Sequence, residues 1–88
     1  MKRWVYRNVV FDTGYSYQIE VTRGGRIYAR CDGHMTRLDA LPTRAGIAIS
    51  GPDEQRFTLR RDFTLIIHAA TDRHVRPIGE KKPEEAEA

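Results

Sequence analysis

Apolar and polar residues alternate with a period of two along most of this chain. Tyr15, Tyr17, Ile19 and Val21 alternate with Ser16, Gln18, Glu20 and Thr22. That period is the mark of a strand with one face buried and one face wet. Arg23-Gly24-Gly25 follows, and then a second alternating run from Arg26 to Cys31. The two runs predict a hairpin, and their pattern selects its register. A two-residue loop at Gly24-Gly25 puts Ile27 and Ala29 on the face of Gln18, Glu20 and Thr22. A three-residue loop, Arg23-Gly24-Gly25, pairs Val21 with Ile27, Ile19 with Ala29 and Tyr17 with Cys31. All the apolar residues then share one face. A slip of one residue turns every side chain over, so the pattern favours the three-residue loop. Gly25 then takes the third loop position, where such hairpins need a left-handed backbone.

Upstream, Arg3 to Phe11 is rich in aromatic and β-branched residues and predicts another strand. A three-residue loop at Asp12-Thr13-Gly14 pairs Phe11 with Tyr15, Val9 with Tyr17 and Val5 with Val21. That face is apolar except for Arg7, and the opposite face carries Trp4, Tyr6, Asn8 and Val10. Downstream, Met35, Leu38 and Leu41 fall three residues apart. They predict one short helix within 34–41, ended by Pro42, with an irregular crossover loop as the alternative.

The second half returns to period two. Gly46 to Ser50 is a short strand, and Gly51-Pro52-Asp53-Glu54 is a turn. Gln55 to Arg60 follows with Phe57 and Leu59 inward, so that an odd loop matches Ile49 to Phe57 and Ile47 to Leu59. Phe63 to Ala69 is the most apolar strand, with Phe63, Leu65 and Ile67 inward. After a turn at Thr71-Asp72-Arg73, His74 to Ile78 predicts an edge strand, because Pro77 lacks the N–H that a central position requires.

The fold class expected is all-β: a five- or six-stranded antiparallel barrel or sandwich built on hairpins 3–22 and 15–31. Residues 1–79 form one domain, and residues 80–88, which have nothing to bury, form a disordered charged tail. The order of hairpin, crossover, strand, turn and strand resembles the rhythm of SH3-like and Sm-like small barrels. The resemblance is one of pattern, without a diagnostic motif.

Composition narrows the function. At 88 residues the core is thin and the margin of stability is roughly 3–5 kcal/mol, so a homodimer is a natural way to bury more surface. One cysteine excludes an intramolecular disulfide framework. No apolar run reaches the roughly 18 residues of a membrane span. The N-terminal residues lack the apolar core of a secretion signal. The compartment expected is the cytoplasm. Residues 1–79 hold 13 of the 15 basic residues and 8 of the 12 acidic ones, a balance of +5, against −2 from Glu80 onward. A basic body admits a polyanionic partner. Twelve of the basic residues are Arg, and coding bias alone also enriches Arg over Lys.

In the registers above, Trp4, Tyr6, Tyr28, Arg26 and Arg30 share the outward face of the first three strands. Tyr6, Glu20 and Tyr28 lie in one row there. Aromatic rings beside Arg suit a protein partner or a second copy of the chain. They also suit single-stranded RNA or DNA, whose bases stack on rings while Arg meets phosphate. Glu20 in the middle of the patch counts against phosphate. A third reading is a structural subunit that assembles through the Trp4-Tyr6 strand. Arg56, Arg60 and Arg61 are possible phosphate contacts, or a solvated strand face that discourages edge pairing.

Cys31 and His34 have the spacing of a metal-ligand pair. His68 and His74 are the other imidazoles and nothing brings them there, so no metal site is assigned and Cys31 reads as a small core residue. No catalytic arrangement, cofactor motif or small-molecule site is evident, and the glycine pair lacks the flanks of a phosphate loop. The expectation is therefore a non-catalytic adaptor, regulator or inhibitor, with a single-stranded nucleic-acid-binding barrel as the alternative.

Overall fold

The computed structural model describes residues 3–11, 13–51, 55–68 and 77–86. Among them are ten strands and no helix: β1 (Arg3–Val10), β2 (Ser16–Thr22), β3 (Ile27–Cys31), β4 (His34–Arg37), β5 (Asp39–Thr43), β6 (Gly46–Ser50), β7 (Arg56–Leu59), β8 (Leu65–His68), β9 (Pro77–Lys81) and β10 (Glu84–Ala86). They build two five-stranded antiparallel sheets, ordered β10-β1-β2-β3-β4 and β5-β6-β7-β8-β9. The chain meanders through the first sheet, crosses at Leu38, and meanders through the second. It then returns through Lys82-Pro83 to lay β10 beside β1. The result is a sandwich rather than a closed barrel. Among the described residues no helix is long and apolar enough to cross a membrane.

The hairpin β2–β3 forms in the register that the apolar pattern selects, with Val21 opposite Ile27 and Ile19 opposite Ala29. The Thr22 N–H donates to the Arg26 carbonyl at 2.9 Å, and Gly25 has φ +85°, so the loop has three residues with glycine at its left-handed position. In the second sheet, Ile49 pairs with Phe57 and Ile47 with Leu59, again as the pattern requires. The turn residues Pro52-Asp53-Glu54 and Thr71-Asp72-Arg73 lie outside the described residues, as does the start of the strand expected from His74. Its later part is β9, an edge strand that begins at Pro77.

The core lies between the sheets. Tyr6, Val9, Phe11, Ile19, Val21, Ile27 and Ala29 meet Ile49, Phe57, Leu59, Leu65 and Ile67 across it, with Leu38 closing one corner. Each fully buried Ile, Leu or Phe contributes roughly 1.5–3 kcal/mol relative to exposure.

Three expectations are corrected. The strand count is ten rather than five or six. The segment 34–41 is not helical. Asp32 and Gly33, with φ of +49° and +80°, make a two-residue turn that sets His34 opposite Cys31. Leu38 is the buried member of the apolar triplet, and Met35 and Leu41 are exposed. The spacing of three therefore reflects two short edge strands meeting at a corner.

The stretch beyond Glu80 is not wholly a free tail. Lys81 pairs with Leu65, and Glu84 to Ala86 pair with Val5 to Arg3. Backbone ladder bonds hold these residues, and composition does not report such bonds. Finally, β1 lies between β10 and β2. Its backbone is thus paired on both sides.

Candidate binding face

Strand β1 begins its pairing with β2 as the pattern requires: the Phe11 N–H donates to the Tyr15 carbonyl at 2.8 Å, and Val9 faces Tyr17. The register then shifts between Val9 and Tyr6. Three steps along β1 match two along β2, because Arg7 and Asn8 bulge opposite Gln18. Asn8 takes a left-handed backbone with φ +55°, a conformation that Asn tolerates better than most residues. The bulge reverses which face each earlier side chain occupies. Trp4 now faces Val21, Tyr6 faces Ile19, and Val5 rather than Tyr6 stands beside Glu20.

Two of the five residues expected on the outer face are therefore inside. Tyr6 is 0% exposed, and its hydroxyl donates to the Phe63 carbonyl at 2.6 Å. Trp4 stacks on the Phe63 ring, with centroids 4.3 Å apart. Burial, and then the nearby Asp62 charge, push the Tyr6 hydroxyl up to about 12. These two aromatics anchor a turn of the second sheet.

The outer face of the first sheet keeps Tyr28, Arg26 and Arg30, and gains Arg3 and Arg37. Glu20 lies at its centre and is 1% exposed. Its carboxylate accepts hydrogen bonds from Arg3 Nη1 at 2.6 Å, Arg30 Nε at 2.9 Å and Gln18 Nε2 at 3.1 Å. A buried carboxylate is tolerated only when it is paired and hydrogen-bonded in this way. Tyr28, half-buried, lies between Glu20 and Arg37 in the cross-strand row. Arg7 pairs with Glu84 at 3.1 Å near the β10 edge. Arg3 and Arg37 belong to this face only because of the β1 bulge and the Asp32-Gly33 turn.

The second arginine group divides. Arg56 begins β7 in a row with Ser50 and His68. Arg60 and Arg61 lie past the other end of that strand, where with Arg44 and Asp62 they line a cavity of about 260 Å3. On the outside of the second sheet, Thr58 Oγ1 and His68 Nε2 are 2.8 Å apart.

Cys31 faces His34 across the two-residue turn. Both line a cavity of about 510 Å3, with Tyr17, Asp32 and Asp39 at the β4–β5 corner. Among the described residues no three His, Cys, Asp or Glu side chains are placed to hold a metal ion. Burial, and then Asp32, hold the Cys31 thiol above its ordinary range, which opposes thiolate chemistry.

No known family, characterised protein or solved structure matches the chain.

Proposed function

We propose that this protein is a non-catalytic binding protein, an adaptor, regulator or inhibitor, that docks on a protein partner through the outer face of its first sheet. Tyr28 is the anchor, and Arg26, Arg30 and Arg37 orient the partner. The observation that carries this reading is the Glu20 cluster. The buried carboxylate fixes the Arg30 guanidinium, so part of the ordering cost of docking is met before the partner arrives. Tyr and Arg are the side chains that dominate protein interfaces, as long as they are held in place. The face is predominantly basic, so the matching partner surface is acidic. The compartment we assign is the cytoplasm.

Affinity capture from lysate of the producing cell, with and without nuclease, tests the proposal. The wild-type chain should retain a protein partner after nuclease, and Tyr28→Ala should lose it while keeping the native circular dichroism spectrum. Equal capture by Tyr28→Ala and Arg37→Glu would place the interface elsewhere.

A single-stranded nucleic acid is the second reading. One observation favours it: Glu20 is buried and matched, so its charge does not oppose phosphate at the surface. Against it, Tyr28 is left without Trp4 and Tyr6 on that face, and each stacked base is worth roughly 1–3 kcal/mol. Partners lost on nuclease treatment, with affinity falling steeply as salt rises, would select this reading instead.

A further inference from the structure

We propose that the turn end of the second sheet is a binding site for a phosphomonoester, with Arg44, Arg60 and Arg61 as its ligands. The site is separate from the first-sheet face and does not depend on the function proposed for it.

Two neighbouring turns build it. Arg44 follows β5 in the turn that leads into β6, and Arg60 and Arg61 follow β7 in the turn that leads towards β8. Strands β6 and β7 are paired, with Ile47 opposite Leu59, which sets the two turns side by side. Gly46 allows the close approach. It has φ +133°, and a Cβ there would collide with the Leu59 carbonyl oxygen and crowd Arg60 Cα.

The second turn is held firmly. The Arg60 N–H donates to the Thr64 carbonyl at 2.9 Å, and the Phe63 N–H donates to the Arg60 carbonyl at 2.9 Å. Phe63 adopts φ +66°, an unfavourable conformation for a bulky residue. The Tyr6 hydroxyl and the Trp4 ring hold it there. Arg60 and Arg61 thus stand on a backbone clamped from the core.

The charge balance points to an anion. Three arginines line a cavity with a single acidic residue, Asp62. Asp62 Oδ1 already accepts the Thr64 N–H at 3.0 Å. Among the described residues none of the three arginines forms an ion pair. Lys82 lies near enough for its charge to act on Asp62 as well. Like charges gathered around one cavity repel, and a bound anion removes that cost. Planar guanidinium forks match tetrahedral phosphate oxygens in pairs. A phosphomonoester carries close to two negative charges at neutral pH and suits three arginines better than a singly charged diester or carboxylate.

Calorimetry and arginine side-chain NMR with inorganic phosphate, phenyl phosphate and dimethyl phosphate test the site. Saturable one-to-one binding of inorganic and phenyl phosphate is expected, with dimethyl phosphate at least tenfold weaker. Arg44→Gln and Arg61→Gln should each weaken binding about tenfold, and Arg56→Gln, at the far end of β7, should leave it unchanged. Binding of inorganic phosphate without phenyl phosphate would overturn the ester assignment. A non-saturating response, or equal weakening by Arg56→Gln, would overturn the site.

Discussion

Two sets of arginines lie on the outside of this molecule, and they differ in what meets them. On the first sheet, Arg3 and Arg30 converge on Glu20, which is 1% exposed. On the second, Arg44, Arg60 and Arg61 converge on a cavity whose one carboxylate is already bound to its own backbone. The chain completes the first set itself and leaves the second set open. Arginine count alone therefore says little about binding. A guanidinium that satisfies a buried acid is part of the fold, and its remaining donors form a fixed surface. A guanidinium without such an acid is free to take a ligand.

The largest effect expected separates the two sets by stability. Replacing both Arg3 and Arg30 by Ala leaves Glu20 with Gln18 as its remaining described partner. The loss approaches the roughly 3–5 kcal/mol of an uncompensated buried charge, reduced by water that enters once both side chains are gone. For a domain this small that is close to the whole margin. Replacing Arg60 and Arg61 by Ala should cost no more than about 0.5 kcal/mol at each site, since both are exposed. Urea unfolding of the two double variants measures the contrast. Equal losses would collapse the distinction between them.

How far each set could be read from the sequence follows from what built it. The hairpin β2–β3 was legible because its two runs alternate without interruption and the glycine pair admits one sensible loop. Along β1 the alternation is broken between Tyr6 and Val9. The residues that pack into the core run Trp4, Tyr6, Val9, Phe11, which is period two with one extra residue in the middle, while Val5 is buried on the other face beside Glu20. That is the pattern of a bulge. A lone Arg7 on an apolar face, with Trp4 and Tyr6 on the supposedly wet one, was its trace. Asp32-Gly33 was a second legible signal, since Asp-Gly favours two-residue hairpin turns, and the triplet Met35, Leu38, Leu41 obscured it. Arg44 had no local signal. It joins Arg60 and Arg61 because β6 pairs with β7 and Gly46 lets the turns meet, both consequences of tertiary structure.

A smaller effect links the core to the open set. Tyr6→Phe removes the hydroxyl that supports the Phe63 carbonyl. The cost should be about 1–2 kcal/mol, and the looser turn should weaken phosphate binding at Arg60 and Arg61. The variant also changes the alkaline limb. Burial raises the Tyr6 hydroxyl from 10.0 to about 12 in the folded protein. The fold thus favours the protonated form. That stability is fully present below the ordinary value and is lost as pH rises towards the folded one. Urea midpoints between pH 9 and 12, as approximate limits set by these values, should fall for the wild type and fall less for Tyr6→Phe. Parallel curves would show that Tyr6 is not the titrating group.

The smallest effect on stability is expected at Asp62, where the comparison can be tested from the other side. The Thr64 hydrogen bonds, and then the charges of Arg60 and Lys82, outweigh its partial desolvation and hold the Asp62 carboxyl below its usual range. Such a group contributes stability above its ordinary value and loses it as pH falls through the folded one. Asp62→Asn keeps an acceptor for the Thr64 N–H, so the turn should survive and the acid-side loss should shrink. It also removes the one negative charge from the cavity. If the three arginines are open to a ligand, phosphate should then bind several-fold more tightly. Weaker binding would mean that Asp62 positions the arginines as Glu20 positions Arg3 and Arg30, and the two sets would be variants of one device rather than opposites.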